Sequence, residues 1–138
     1  MVHVEVGVNP TEDLEKVKKA VENIFGALEF EVKYRKWGRL LIAETRGTQS
    51  LTKLYNLLRR ERIRDAARKV FFSGLAEGSL TFYLNKQVAY AGHISFSQQT
   101  AESPLGPIDV QIHSNNPRQL IDWLAPKTTE RNVPSRSE

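Results

Sequence analysis

Seven cationic side chains crowd into seventeen residues of this chain: Lys53, Arg59, Arg60, Arg62, Arg64, Arg68 and Lys69, against only Glu61 and Asp65. The planar fork of arginine donates two parallel hydrogen bonds and matches a phosphate, so such a run has the chemistry to meet a polyanion. Arg60, Arg64 and Arg68 stand four residues apart, a spacing that predicts a stripe along one helix flank. The alternative is a solvated flank, neutralised in part by Asp65 with Lys69 and Glu61 with Arg64. A second group, Lys33, Arg35, Lys36 and Arg39, brackets Trp37. Cations interleaved with an aromatic suit phosphate contact and base stacking, and suit equally a turn whose indole folds onto the core. Asn85, Lys86 and Gln87 form a third group, polar residues that a hairpin tip would carry into a nucleic-acid groove or leave in solvent.

Other chemistry is thinly represented. The chain has no Cys, which excludes thiol catalysis, Cys-ligated zinc and iron–sulfur clusters. His3, His93 and His113 fall on predicted strands without metal-ligand spacing. Gly74–Gly78 reads as a turn rather than a phosphate-cradling loop, and Ser79 lacks a nucleophile-elbow context. Neither an enzyme nor a cofactor or metal is expected.

The elements that must position the cations follow from periodicity. Val2, Val4, Val6 and Val8 alternate with His3, Glu5 and Gly7, the pattern of a half-buried strand. Thr11 is placed to cap a helix whose apolar face is Leu14, Val17, Val21, Ile24 and Phe25, with Gly26 as its stop. In that helix Glu12 pairs with Lys16 and Glu15 with Lys19 by spacing. Leu28 to Arg35 and Arg39 to Thr45 read as two strands joined by a Lys36–Gly38 turn, the second covered on both faces. Between Ser50 and Phe71 the apolar residues lie on two opposed faces, so one straight rod would expose one of them. A break near Arg59–Glu61 is predicted.

Leu80 to Leu84 and Val88 to Phe96 read as a hairpin whose odd-length loop has Asn85–Gln87 at its tip. Ser103–Pro107 reads as a stiff connector with two prolines, and Ile108 to Ile112 as the last strand. Asn116 and Pro117 open a final helix packed by Leu120, Ile121, Trp123 and Leu124.

The sum is one α+β domain over 1–126: a mainly antiparallel, twisted sheet of about six strands with helices covering one face, then a polar tail, 127–138, expected to be disordered. At 138 residues and 40% hydrophobic content the chain can bury a real core. No apolar run approaches the roughly 20 residues a membrane span requires, and Met1–Pro10 lacks a secretory pattern, so no membrane and a cytoplasmic location are expected. The net charge of +4 is uneven: residues 1–31 hold seven acids and three bases, whereas residues 32–86 hold thirteen bases and four acids. A basic middle of this kind is a polyanion footprint.

Several stretches are distinctive: Pro10-Thr11-Glu12-Asp13, Arg62-Ile63-Arg64-Asp65-Ala66-Ala67-Arg68, Phe82-Tyr83-Leu84-Asn85-Lys86-Gln87, Glu102-Ser103-Pro104-Leu105-Gly106-Pro107-Ile108 and Ile121-Asp122-Trp123-Leu124-Ala125-Pro126. Together they resemble an archaeal family of uncharacterised proteins related to the predicted exosome-associated RNA-binding proteins. The resemblance spans about residues 2 to 126. It implies a fold like the large-subunit ribosomal protein that contacts 5S RNA, a structured RNA as partner, and a homodimer. It carries over no catalytic residues. Two readings stay open: an RNA-binding protein that clamps phosphates with its basic helix, and a homodimeric protein-interaction module without a nucleic-acid ligand, using strand edges, Tyr83 or Trp37.

Overall fold

The computed structural model describes residues 1–46, 49–98 and 106–127. The polar tail lies outside these apart from Lys127, as does the Ser103–Pro107 connector apart from Gly106 and Pro107.

The valines of β1 (Val2–Val8) are all buried, and their intervening residues are half-buried, as the alternation requires. On one side β1 pairs antiparallel with β3 (Gly38–Thr45), which pairs with the edge strand β2 (Phe30–Arg35). On its other side β1 pairs with β7 (Ile108–His113), and β7 with β5 (Ser79–Leu84). The outer edge of β5 is shared by two short strands, β4 (Leu75–Ala76) at its start and β6 (Phe96–Ser97) at its end. Among the described residues the sheet has seven strands, all their pairings antiparallel, and helices cover one face.

Helix α1 (Leu14–Phe25) buries Val17, Ala20, Val21, Ile24 and Phe25 on the three-and-four spacing of one helical face. Its N-cap is Asp13 rather than Thr11: the Asp13 carboxylate accepts from the Glu15 amide at 2.9 Å. The break in the next helical stretch is real. Helix α2 (Gln49–Arg60) ends, Arg62 takes a left-handed φ of 58°, and α3 (Arg64–Ser73) leaves in a new direction. Leu54 and Leu58 of α2, and Ala67 and Phe71 of α3, all reach one core, where Phe71 packs against Phe82 and Phe96. Helix α5 (Pro117–Leu124) is capped by Asn116 as expected and buries Ile121 and Leu124, while Trp123 stays 40% exposed and stacks on Tyr55.

Two expectations are corrected. Val88 to Phe96 does not form a long strand. Asn85 caps a short helix, α4 (Lys86–Tyr90), by accepting from the Val88 amide at 2.9 Å, and only Phe96 and Ser97 return to pair with β5. The Asn85 amide donates to the Ser95 carbonyl at 2.8 Å and closes the excursion, so Leu84 faces Phe96 rather than Tyr90. Strand β3 is also not covered on both sides. Leu40 and Ile42 lie with Gly7, Glu5 and His3 on the half-buried face opposite the helices.

Candidate nucleic-acid interface

One end of the sheet gathers the β1–α1 connection, the β2–β3 turn, the start of α4 and the entry to β7. Gly38 fixes how the first two meet. At φ 152°, a Cβ on this residue would stand 2.5 Å from the Val8 carbonyl oxygen and 3.4 Å from Pro10. Only glycine lets the turn seat there. Beside it, the outer edge of the Trp37 indole lies over Gly7, so close that a Cβ on Gly7 would be 3.2 Å from two ring atoms. Trp37 is thus positioned by β1 yet remains 49% exposed.

The rest of this hairpin projects outwards. Tyr34 is 79% exposed although it alternates with Phe30 and Val32. Lys33, Arg35 and Lys36 are exposed and Arg39 is half-buried. Among the described residues none of these four cations has a carboxylate within ion-pair distance. Arg35 donates to the Tyr34 carbonyl at 3.1 Å, a bond that keeps its guanidinium at the strand end. Charged residues along an edge strand also discourage pairing with another strand. Further along the same face the sign reverses. Glu29, Glu31, Glu5 and Glu44 line a shallow depression with His3, which Lys33 also lines, whereas Arg35, Lys36 and Arg39 lie outside it towards the tip of the hairpin.

The basic run in the helices has a different geometry. Arg60, Arg64 and Arg68 do not form one stripe, because Arg60 closes α2 while Arg64 opens α3 beyond the bend. Arg59 stacks on Tyr55, its guanidinium carbon 3.3 Å from the ring centroid, and donates to the carbonyls of Leu124 and Trp123 at 3.1 and 3.3 Å. Arg68 donates to the Ala125 carbonyl at 3.0 Å and pairs with Asp122 at 2.8 Å, with 16% of its side chain exposed. Arg60 donates to the Gly92 carbonyl at 2.9 Å, and Lys53 to the Glu22 carbonyl at the same distance.

These acceptors sit at or just beyond the C-terminal ends of α5, α4 and α1, and none of those helices has a basic residue in its own last turn. The cations of α2 and α3 therefore satisfy carbonyls and complement dipoles of neighbouring helices. The expected Glu61–Arg64 pairing is replaced: Glu61 meets His93 at 3.0 Å and Arg60 at 3.8 Å, and the His93 hydrogen bond holds its carboxyl below the usual range. Arg62 is exposed and Arg64 half-buried, and both line a shallow depression with Arg59 and Asp65.

Asn85, Lys86 and Gln87 are not a hairpin tip. Asn85 is the helix cap, and Lys86 is buried with 5% of its side chain exposed. Its ammonium donates to the Gly7 carbonyl at 2.7 Å and to both Glu12 carboxylate oxygens at 3.1 Å. Glu12 in turn accepts from the Asn9 amide at 2.9 Å, so it does not serve Lys16 as its spacing predicted. Burial pulls Lys86 below the usual lysine range, and Glu12 opposes that pull. Gln87 alone of the three is exposed.

Sequence reasoning also missed a polar ladder on the uncovered face. His3 meets Glu44 through Nδ1 at 2.6 Å and Glu5 through Nε2 at 2.7 Å. Both ring nitrogens can donate only in the imidazolium form. Burial pulls His3 down, but these two hydrogen bonds outweigh it and leave the imidazole above its ordinary value. Directly across from Glu5, Asp109 is pushed up by burial and by the Glu5 charge, and its buried Oδ1 has no hydrogen-bond partner among the described residues. Strict alternation in β1 placed His3 and Glu5 on one face, but only strand order could bring Glu44 and Asp109 to them. Among the described residues no group of His, Asp or Glu could hold a metal ion, and no helix is long and apolar enough to cross a membrane.

Comparison with known proteins identifies the setting. Residues 1–114 match the model of a family described as RNA binding. The chain is 45% identical over 127 residues to a UPF0201 protein of Sulfurisphaera tokodaii, covering 92% of this chain and 88% of the relative. It is 48% identical over 132 residues to one from Methanopyrus kandleri, covering 89% and 82%. Among solved structures, the UPF0201 protein of Methanococcus jannaschii superposes with a TM-score of 0.81 at 35% identity, covering 92% of this chain and 93% of that one. A Sulfolobus solfataricus protein at 15% identity and a TM-score of 0.65 shares the fold alone.

Proposed function

The chain belongs to the RNA-binding family matched over residues 1–114 and to the archaeal UPF0201 proteins, and from that membership we propose that it binds RNA at the β2–β3 hairpin end of its sheet. Lys33, Arg35, Lys36 and Arg39 contact phosphates, and Trp37 and Tyr34 offer ring faces on which unpaired bases stack. Arg62 and Arg64, at the bend between α2 and α3, supply a second phosphate contact, whereas Arg60 and Arg68 add potential from positions already engaged with carbonyls. The acidic residues of the uncovered face repel a backbone laid across it and keep the RNA at the tip.

The observation that carries this reading is the pair of exposed aromatics set among four cations that have no carboxylate within ion-pair distance among the described residues. In the wider reading the ligand is a structured RNA met during RNA processing or ribosome assembly. Recovering the protein crosslinked from cell extract and sequencing the attached RNA tests that. The direct test is RNA affinity against salt: a steep loss between 50 and 200 mM, shallower after charge reversal on the hairpin, is the expected result. Affinity that ignores both salt and the hairpin would overturn the proposal.

A second reading is favoured by the half-buried Leu40 and Ile42 beside Gly7 on the uncovered face, which a second copy of the chain could cover. Sedimentation across a concentration series distinguishes it, since a dimer through that face forms without RNA.

A further inference from the structure

Two of the distinctive stretches, Thr11–Asp13 and Lys86–Gln87, lie far apart in sequence and meet in space. With one side of α1 they enclose a cleft of about 340 Å³. We propose that this cleft receives a single unpaired nucleobase of the bound RNA, an inference that rests on the RNA reading above and adds to it a site for base readout.

The composition of the cleft suits a base. Val17 and Ala20 of α1 stand behind the cleft, 4% and 0% exposed, so the apolar surface on which a flat ring can lose water is the exposed ring of Tyr90. One wall is Tyr90, 43% exposed, with its ring available for stacking, and Gln87, whose side-chain amide makes no hydrogen bond among the described residues. An amide offers both donor and acceptor and can pair with the edge of an unstacked base. At the rim, exposed Lys16 can meet the phosphate of the same nucleotide. The volume lies near the lower end of small-ligand sites, about 300–1,000 Å³, which fits one nucleotide and not a duplex.

Rigidity and position support the assignment. The buried Lys86–Glu12 pair, tied to Gly7 and Asn9, fixes the β1–α1 connection against the start of α4, so the walls are set before a ligand arrives. The same connection carries Pro10, against which the Gly38 turn is seated. A strand whose phosphates lie on the hairpin therefore has the mouth of the cleft beside it, and one base turned inward can enter.

The test compares a single-stranded RNA octamer with a blunt RNA duplex of equal length, measured by fluorescence anisotropy on the whole chain and on Tyr90→Ala and Gln87→Ala. Both side chains are exposed, and thermal melts check that each variant stays folded. The unaltered protein is expected to favour the octamer by about tenfold. Each substitution should cut octamer affinity by about five- to tenfold and leave duplex affinity unchanged, in line with the loss of one stacked base. A 4-thiouridine octamer should crosslink to the peptide holding Gln87 and Tyr90. Octamer binding indifferent to both substitutions, or crosslinks confined to the hairpin, would overturn the cleft while leaving hairpin binding standing. No binding to either RNA by the unaltered chain would remove the RNA reading and the cleft with it.

Discussion

The α2–α3 bend and the β2–β3 hairpin are the two basic regions of this molecule, and they hold their cations in opposite ways. At the bend, Lys53, Arg59, Arg60 and Arg68 donate to backbone carbonyls at or just past the C-terminal ends of three neighbouring helices. On the hairpin, Lys33, Arg35, Lys36 and Arg39 have no carboxylate within ion-pair distance among the described residues, and two exposed rings stand between them. A count of basic residues ranks the bend first, whereas the geometry ranks the hairpin first. The lesson is that positive charge marks a ligand site only where the fold has not already supplied its acceptor.

The contrast can be broken by substitution. The largest effect is expected at Lys86, which resembles the bend in being wholly engaged. Lys86→Met strands the Glu12 carboxylate and the Gly7 carbonyl, and should cost about 3–5 kcal/mol. Thermal denaturation would show it as a melting point lower by on the order of ten degrees. An unchanged melt would mean that internal cations contribute little, and the distinction between the two regions would lose its basis.

Charge reversal on the hairpin should act on binding instead. Lys33→Glu, Arg35→Glu and Lys36→Glu together are expected to weaken RNA by about a hundredfold in low salt and to flatten the salt slope by about three. The melting point should move by no more than about two degrees, because these side chains touch little of the fold. Arg68→Ala is the converse. It should destabilise by about 1–3 kcal/mol through the orphaned Ala125 carbonyl and Asp122, with RNA affinity of the folded protein unchanged within about twofold. A stable Arg68→Ala protein that no longer binds RNA would move the functional site to the bend.

The smallest effect tests the uncovered face of the sheet, which the hairpin borders and the bend does not. Asp109 has a raised folded-state value, so folding favours its protonated form, and its charge opposes stability at pH above the ordinary aspartate range. That opposition fades as pH falls through the raised value. Asp109→Asn should therefore melt about one to two degrees higher at neutral pH, and the advantage should vanish in acid. A variant that melts lower at neutral pH would show that Asp109 has a partner favouring its charge.

Much of the architecture was legible in the sequence. The valine alternation of β1, the single apolar face of α1, the break near Arg59–Glu61 between two opposed apolar faces and the Asn116–Pro117 helix start are local patterns, and each element formed at or within a few residues of its pattern, α2 ending at Arg60 and α3 beginning at Arg64. The segment from Lys86 to Phe96 was not legible. Val88, Tyr90, Ile94 and Phe96 satisfy a period of two, yet Asn85 caps a helical turn and the Ser95 carbonyl takes the Asn85 amide. In so short a window both periods fit, and the choice fell to contacts made elsewhere, such as Asn23 donating to the Ala89 and Tyr90 carbonyls. The hint that the bend's cations were needed internally was present: the last turns of α1 and α5, Glu22–Phe25 and Ile121–Leu124, contain no Lys or Arg.

By itself the sequence determined the elements outside Lys86–Phe96, because helix and strand follow from side-chain spacing over a few residues. It also determined the basic, aromatic character of the hairpin, whose residues are neighbours along the chain. Tertiary structure alone decided which cations face water, that Lys86 reaches Glu12, and that Thr11–Asp13 and Gln87 share a cleft. The reason is that an ionic or hydrogen-bond partner is chosen by distance through space, and strand order sets that distance for residues remote in the chain.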